Sequence, residues 1–257
     1  MSKDLNEILE DWDYDEEGIA ARWIQGNDGH PKIQLRVNLG VLQMEVKGRP
    51  DGKQPEGHCT LLNYYKKMEE EDLEPALVLG VEACSELQQE ALQFYYRYLA
   101  FYALQYLDGV IDDTHHNLEL LDLVSEYAQE DELAWQFLQF FPYVRMMNAR
   151  ARAEKIMLDE DYDAAGKIVQ EALEEIREFL RDYEELAEVE GSQEIEILDD
   201  LLQRIRAKRP RSKEEQLREE LSVAIKTENY EHAASLRDAL KKLETKLVTM
   251  QEQERQP

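Results

Sequence analysis

The sequence predicts an α+β chain that is mainly α, with a small N-terminal antiparallel sheet packed on an array of helical hairpins. Two observations carry that prediction. Between Ile33 and Val46 apolar residues alternate with polar ones at period two, the signature of half-buried strands. Beyond Cys59 the apolar spacing changes to i, i+3, i+4, which places apolar side chains on one face of a helix.

Residues 1–18 read as an acidic arm, with a short helix around Leu5, Ile8 and Leu9. Residues 19–58 read as a β-hairpin or meander. Trp23 and Ile24 lead into the turn Asn27-Asp28-Gly29, and Ile33, Leu35, Val37 and Leu39 follow in alternation. Gly40 interrupts that alternation before Val41, Leu42, Met44 and Val46 resume it, which suggests a bulge or bend. Gly48-Arg49-Pro50-Asp51-Gly52 marks a second turn. Two or three strands are marginal alone, so the sheet must lie on helices.

Residues 59–203 form the helical body. Leu61, Leu62, Tyr65 and Met68 begin a short helix, and a long one is expected from Val81 to Leu107. Its aromatics (Phe94, Tyr95, Tyr96, Tyr98, Phe101, Tyr102 and Tyr106) occupy nearly every face, as in a buried core helix. Further helices are expected near 114–129, 131–141, 143–158, 162–189 and 193–208, with breaks at Pro142 and at Gly191-Ser192. Ala153, Ile156, Tyr162, Ala165, Val169 and Ala172 resemble the small and large positions of a tetratricopeptide hairpin, with a weaker candidate around residues 91–128. Residues 204–213, RIRAKRPRSK, read as a basic linker in which Pro210 stops one helix and Ser212 can cap the next.

Residues 214–249 carry the most constrained pattern, followed by a tail at 250–257. Leu217, Leu221, Ala224 and Ile225 define one helical face, Asn229 and Tyr230 break the run, and Ala233, Leu236, Leu240, Leu243 and Leu247 mark a second stripe. Two short amphipathic helices joined by a tight turn make a helical hairpin. Within it, Glu228, Tyr230, Glu231, Ala233, Ala234, Leu236, Arg237 and Asp238 resemble the UVR motif, the hairpin of the excision-repair proteins UvrB and UvrC and of some Clp ATPases and adaptors. That resemblance implies a protein–protein docking element. Its partner-binding residues would be Leu217, Leu221, Tyr230, Ala233, Ala234, Leu236, Arg237, Asp238 and Leu240. On this reading the small-residue seam stays free for a second polypeptide, with Tyr230 as an aromatic anchor. The plainer alternative is a hairpin that merely caps the preceding helices.

Composition narrows the function classes. Residues 1–203 hold 17 Lys and Arg against 47 Asp and Glu, and residues 204–257 hold 13 against 10. The acidic body repels phosphate backbones, so direct nucleic-acid binding by it is disfavoured. No apolar run reaches the roughly 20 residues that span a bilayer, and the acidic start lacks an apolar signal core. Cys59 and Cys84 form no CxxC pair, so a reduced, cytoplasmic setting is expected. GxxxxGK[ST] and GxGxxG are absent, and no cofactor is implied.

Asp112, Asp113, His115 and His116 form the one carboxylate–histidine cluster. Asp112 and His116 could share a helix face and hold a metal, whereas Thr114 suggests a helix N-cap at the same place. The expectation is therefore a non-enzymatic adaptor that docks or dimerises through its C-terminal hairpin. The alternatives are an accessory factor of nucleotide excision repair acting on UvrB- or UvrC-type partners, and a metalloprotein using Asp112, His115 and His116.

Overall fold

The computed structural model describes residues 4–16, 18–71, 77–183, 192–210 and 213–254, with side chains described at all of these except 213–215 and 243–254. A three-stranded antiparallel sheet in the order β1-β2-β3 is followed by helices, so the α+β, mainly α class holds. The chain divides into two compact units, Met1–Ala207 and Lys208–Pro257.

In the first unit, α1 (Asn6–Leu9) precedes β1 (Ala21–Gln25), β2 (Pro31–Val37) and β3 (Gly40–Glu45). The β1–β2 loop turns at Gly29, whose φ of +81° favours a residue without a Cβ. At Gly40 the structure differs from the expected bulge. Val37 pairs with Gly40, so Asn38 and Leu39 are a two-residue hairpin tip and β2 and β3 are separate strands. Leu39, 91% exposed there, extended the apolar alternation without belonging to a strand.

Ile33, Leu35 and Met44 on the inner face of the sheet enter one core with Tyr98 and Phe101 of α3 (Val81–Ala103). The same core takes in α6 (Phe141–Met157), α7 (Tyr162–Asp182) and α8 (Gln193–Lys208). Each fully buried large apolar side chain contributes about 1.5–3 kcal/mol. A second core joins Leu61 and Leu62 of α2 (Leu61–Glu70), Leu87 of α3, and Leu120 and Val124 of α4 (Leu107–Tyr127). Phe137 of α5 (Asp131–Leu138) completes it. Phe94, Tyr98 and Phe101 are buried as a core helix requires, while Tyr106 is 41% exposed.

Two helix boundaries differ from the sequence expectation. The long aromatic helix stops at Ala103, and α4 begins at Leu107 rather than 114. Gln105 adopts a left-handed φ of +56°, its N–H donates to Tyr102 O, and the Tyr106 N–H donates to Phe101 O at 2.9 Å. This is the paired hydrogen-bond pattern that ends helices, usually at glycine. Here the close approach is permitted by Gly109, where a Cβ would lie 2.7 Å from the rings of Phe101 and Tyr106. Pro142 lies in the first turn of α6, where its missing N–H costs nothing, instead of standing between helices. Arg204, Arg206 and Lys208 of the basic run belong to the last turns of α8, where cations face the negative helix end. The cap expected at Ser212 and the break at Gly191 lie outside the described residues. Ser192 does receive the Ile195 N–H, at 3.5 Å.

The second unit is an antiparallel pair, α9 (Lys213–Lys226) and α10 (Tyr230–Glu254).

Candidate functional site

The C-terminal hairpin is built by its turn. Glu228 takes a left-handed φ of +56°, its N–H donates to Ile225 O at 3.1 Å, and the Asn229 N–H donates to Ala224 O at 2.9 Å. Asn229 then caps α10, its side-chain oxygen accepting from the His232 N–H at 3.3 Å. With the turn fixed, Ala224, Ala233 and Leu236 become buried and pack with half-buried Leu217 and Leu221. Leu240 is buried as well.

The seam expected to stay free is therefore closed by the hairpin's own two helices. Alanines at positions 224 and 233 let the helices approach, and what they bring together is the apolar stripe itself. Ile225, read from sequence as part of that stripe, is 54% exposed. A two-helix seam is only one side chain wide, and Ile225 sits about 100° around the helix from Ala224. Tyr230 is 68% exposed, Val223 is 54% exposed, and Ala234 is also on the solvent side. Arg237 and Asp238 face solvent too and lie 3.7 Å from one another. The predicted set thus splits in two. Leu217, Leu221, Ala233 and Leu236 hold the hairpin with Leu240 also buried, and Tyr230, Ala234, Arg237 and Asp238 are presented outward. Leu243 and Leu247 lie among the residues whose side chains are not described.

In the body, the carboxylate–histidine cluster falls inside α4, not at its start. Thr114 donates to Val110 O at 2.6 Å, one helical turn back, so it is no cap. Asp112 and His115 are exposed, whereas His116 stacks on Phe94 with ring centroids 3.6 Å apart. Asp113 points inward to Arg97, which donates through Nε and Nη2 at 2.8 and 2.7 Å. The three proposed ligands diverge. Among the described residues no group of three or more His, Cys, Asp or Glu is placed to hold a metal ion.

Asp113 and His116 instead meet Arg97 and Glu90 of α3, two residues that no motif marks in the sequence. Arg97 also donates Nη1 to Glu45 O at 2.9 Å and Gly48 O at 2.7 Å, tying α3 and α4 to the end of β3. Glu90, fully buried, accepts from the Leu61 and Leu62 N–H groups at 2.8 and 3.1 Å, so it closes the N-terminus of α2. His116 Nε2 lies 3.4 Å and Arg49 Nε 3.6 Å from the same carboxylate. Burial pushes the Asp113 carboxyl up, with the Arg97 guanidinium pulling it down. Polar residues at otherwise apolar helix positions were the available signal: Glu90 and Arg97 share the inward face of α3 with Leu87, Phe94 and Phe101.

A family model described as "Protein of unknown function (DUF2813)" matches residues 52–253. The chain belongs to that family. The match starts after the sheet and runs through both the helical body and the hairpin of this DUF2813 chain. No curated protein and no solved structure matches it. No UVR-motif family is found at the hairpin, so the resemblance read there is corrected. The structure gives the physical reason. Glu160-Asp161-Tyr162 and Ala165, at the α6–α7 turn of the body, repeat the layout of Glu228-Asn229-Tyr230 and Ala233. A left-handed residue, an Asx cap, an aromatic and a small residue one turn later are what a tight helical hairpin needs. The shared pattern reports local geometry. The repair reading drew on that resemblance and keeps no support from it.

Proposed function

We propose that this DUF2813 chain is a non-enzymatic interaction protein whose C-terminal hairpin docks on a protein partner. Tyr230 is the anchor, and the exposed Ile225 of α9 supplies further apolar contact. The observation that carries the reading is the division of labour within the hairpin. Its seam is satisfied by Ala224, Ala233 and Leu236, so these two large side chains are not needed to hold it together. Single exposed apolar residues are ordinary on a surface; what supports an anchor is that Tyr230 is a large aromatic, 68% exposed, at the first position of α10.

The partner's chemistry follows from charge. Lys208, Arg209, Arg211 and Lys213 open the hairpin's own unit, residues 208–257, in sequence. A protein surface with a shallow apolar pocket and an acidic rim fits both features. The body, with 47 acidic against 17 basic residues in 1–203, suits neither DNA nor RNA. Cys59, exposed and unbridged, fits a reducing, cytoplasmic setting. Among the described residues no helix is long and apolar enough to cross a membrane.

The test is site-specific photo-crosslinking from position 230 in cells, with the product identified by mass spectrometry. The expected result is one predominant heterologous product that Ile225→Glu abolishes while helicity is retained. A crosslinking pattern unchanged by Ile225→Glu, or no product above background, removes the proposal.

A further inference from the structure

The outer face of the sheet is already occupied by a segment of the chain itself. Strand alternation turns Arg22, Gln34, Arg36 and Gln43 away from the core that Ile33, Leu35 and Met44 enter. Arg22 pairs in register with Gln34, and Gln34 with Gln43. Their side chains form a ladder across all three strands. Arg22 Nε donates to Gln34 Oε1 at 2.8 Å, and Gln34 Nε2 donates to Gln43 Oε1 at 3.1 Å. Arg36 is held independently, its Nη1 donating to Gly40 O at 2.9 Å in the β2–β3 turn. The sheet thus fixes both guanidinium groups without help from the arm, and each keeps donors to spare.

The arm uses those donors. Arg22 Nη2 donates to Ile8 O at 2.9 Å, and Arg36 Nε donates to Trp12 O at 3.0 Å. The Trp12 ring covers the Arg22 guanidinium at 4.0 Å, and Tyr14 lies 5.9 Å from that of Arg36. Asp11, at φ +59°, bends the chain between α1 and Trp12. Under this cover Gln34 is only 6% exposed. Yet the arm itself is shallowly seated. No residue of α1 is buried, and Leu5, Ile8 and Tyr14 remain 42%, 40% and 39% exposed.

The arm is held by two main-chain carbonyls and two aromatic faces, on a pair of arginines set in advance. One carbonyl, Ile8 O, comes from the short helix α1 and the other from Trp12 beyond the bend at Asp11. A helical turn followed by an aromatic residue therefore offers the same groups, and acidic neighbours suit the arginines. Residues 4–16 have seven acidic residues and no basic one, with aromatics at positions 12 and 14. We propose that the Arg22–Arg36 face of the sheet is a recognition site for an acidic, aromatic-bearing peptide segment of another protein. The N-terminal arm is its resident, displaceable occupant. Pre-organised donors lower the ordering cost of such binding.

The test uses the full chain and a fluorescein-labelled synthetic peptide with the sequence of residues 4–16. Trp12→Ala loosens the resident arm, and that variant is expected to bind the peptide at least ten-fold more tightly than the unaltered chain by fluorescence anisotropy. Adding Arg22→Gln or Arg36→Gln to it is expected to weaken binding at least ten-fold. Equal affinity of Trp12→Ala and the unaltered chain, or binding indifferent to both arginines, overturns the proposal. Hydrogen exchange on the unaltered chain decides independently of any variant's folding. Saturating peptide should accelerate exchange of the amides of residues 5–14 while the β2 amides stay protected. Unchanged arm protection at saturation equally sinks it.

Discussion

The α6–α7 and α9–α10 hairpins are turned by the same device and differ in what lies beyond the turn. Glu160 and Glu228 both take left-handed φ, +60° and +56°. Asp161 and Asn229 cap the second helix, accepting from Ala164 N–H at 3.0 Å and His232 N–H at 3.3 Å. Tyr162 and Tyr230 each donate N–H to the preceding Glu carbonyl at 3.0 Å. One turn on, Ala165 and Ala233 are both buried. Thereafter the stripes diverge. α7 buries Ile168, Val169, Ala172 and Leu173, a band two residues wide. At the matching places α10 has Leu236, Arg237, Leu240 and Lys241, of which only the two leucines are buried. The wide band of α7 meets α8: a Cβ on Gly166 would lie 3.8 Å from Ile205 and Leu202. The turn and the first stripe make a hairpin; the second stripe decides whether it is embedded.

Exchanging the residues that differ is the sharpest way to break this comparison. Val169→Arg places a charge where exposure is 0% and should cost more than about 4 kcal/mol, enough to unfold the body. Arg237→Val, its counterpart, should change stability by no more than about 0.5 kcal/mol. Urea denaturation followed by circular dichroism measures both. Comparable losses would mean that α10 has a second packed face after all.

The body alone buries phenols of this kind. Burial pushes the Tyr143 hydroxyl up to about 12 from an ordinary 10.0, and Tyr98 and Tyr102 rise for the same cause. The unfolded phenol ionises first, so this stabilisation is complete below pH 10 and is lost as pH rises towards 12. Alkaline titration by ultraviolet difference absorbance should show a late tyrosine class that ionises together with the loss of body helicity. A single tyrosine class titrating near pH 10, before any structural change, would contradict the burial.

A third contrast lies between two glycines. Gly109→Ala drives a methyl to within 2.7 Å of two aromatic rings and should cost about 1–3 kcal/mol in thermal unfolding. Gly166→Ala meets only ordinary contact at 3.8 Å, so helix propensity should leave it neutral or up to about 1 kcal/mol more stable. A destabilising Gly166→Ala would show α7 and α8 to be closer than this geometry allows.

These elements also show how far a sequence carries. Period-two alternation located the sheet because one face is buried, and 3.6-residue spacing located the helices because each buries a stripe. Both signals fail where a boundary lacks its usual residue. Gln105 ends α3 in a conformation that glycine normally marks, so α3 and the start of α4 read as one helix. Leu39 and Ile225 misled in the opposite sense, being apolar side chains with no core to enter. At the hairpin, apolar spacing marks which residues can share a stripe but cannot tell which face closes inward, since that depends on how many helices are present. The arm's clamp has no apolar stripe. Its one legible trace is the alternation Asp11-Trp12-Asp13-Tyr14-Asp15, opposite two arginines on outward strand positions.

The smallest expected effect probes the shared turn itself. Glu160 and Glu228 hold a backbone conformation that costs an L-residue about 1–2 kcal/mol relative to glycine. Glycine gives back part of that through its larger unfolded-state entropy, about 0.4–1 kcal/mol. Glu160→Gly and Glu228→Gly should therefore each stabilise by about 0.5 kcal/mol, in different places. The first should raise the melting temperature of the body. The second should leave that transition unmoved and slow hydrogen exchange only in α9 and α10, because residues 208–257 are a compact unit of their own. If Glu228→Gly shifted the body's melting as much as Glu160→Gly does, the two units would unfold as one, and the distinction between embedded and autonomous hairpin would fail.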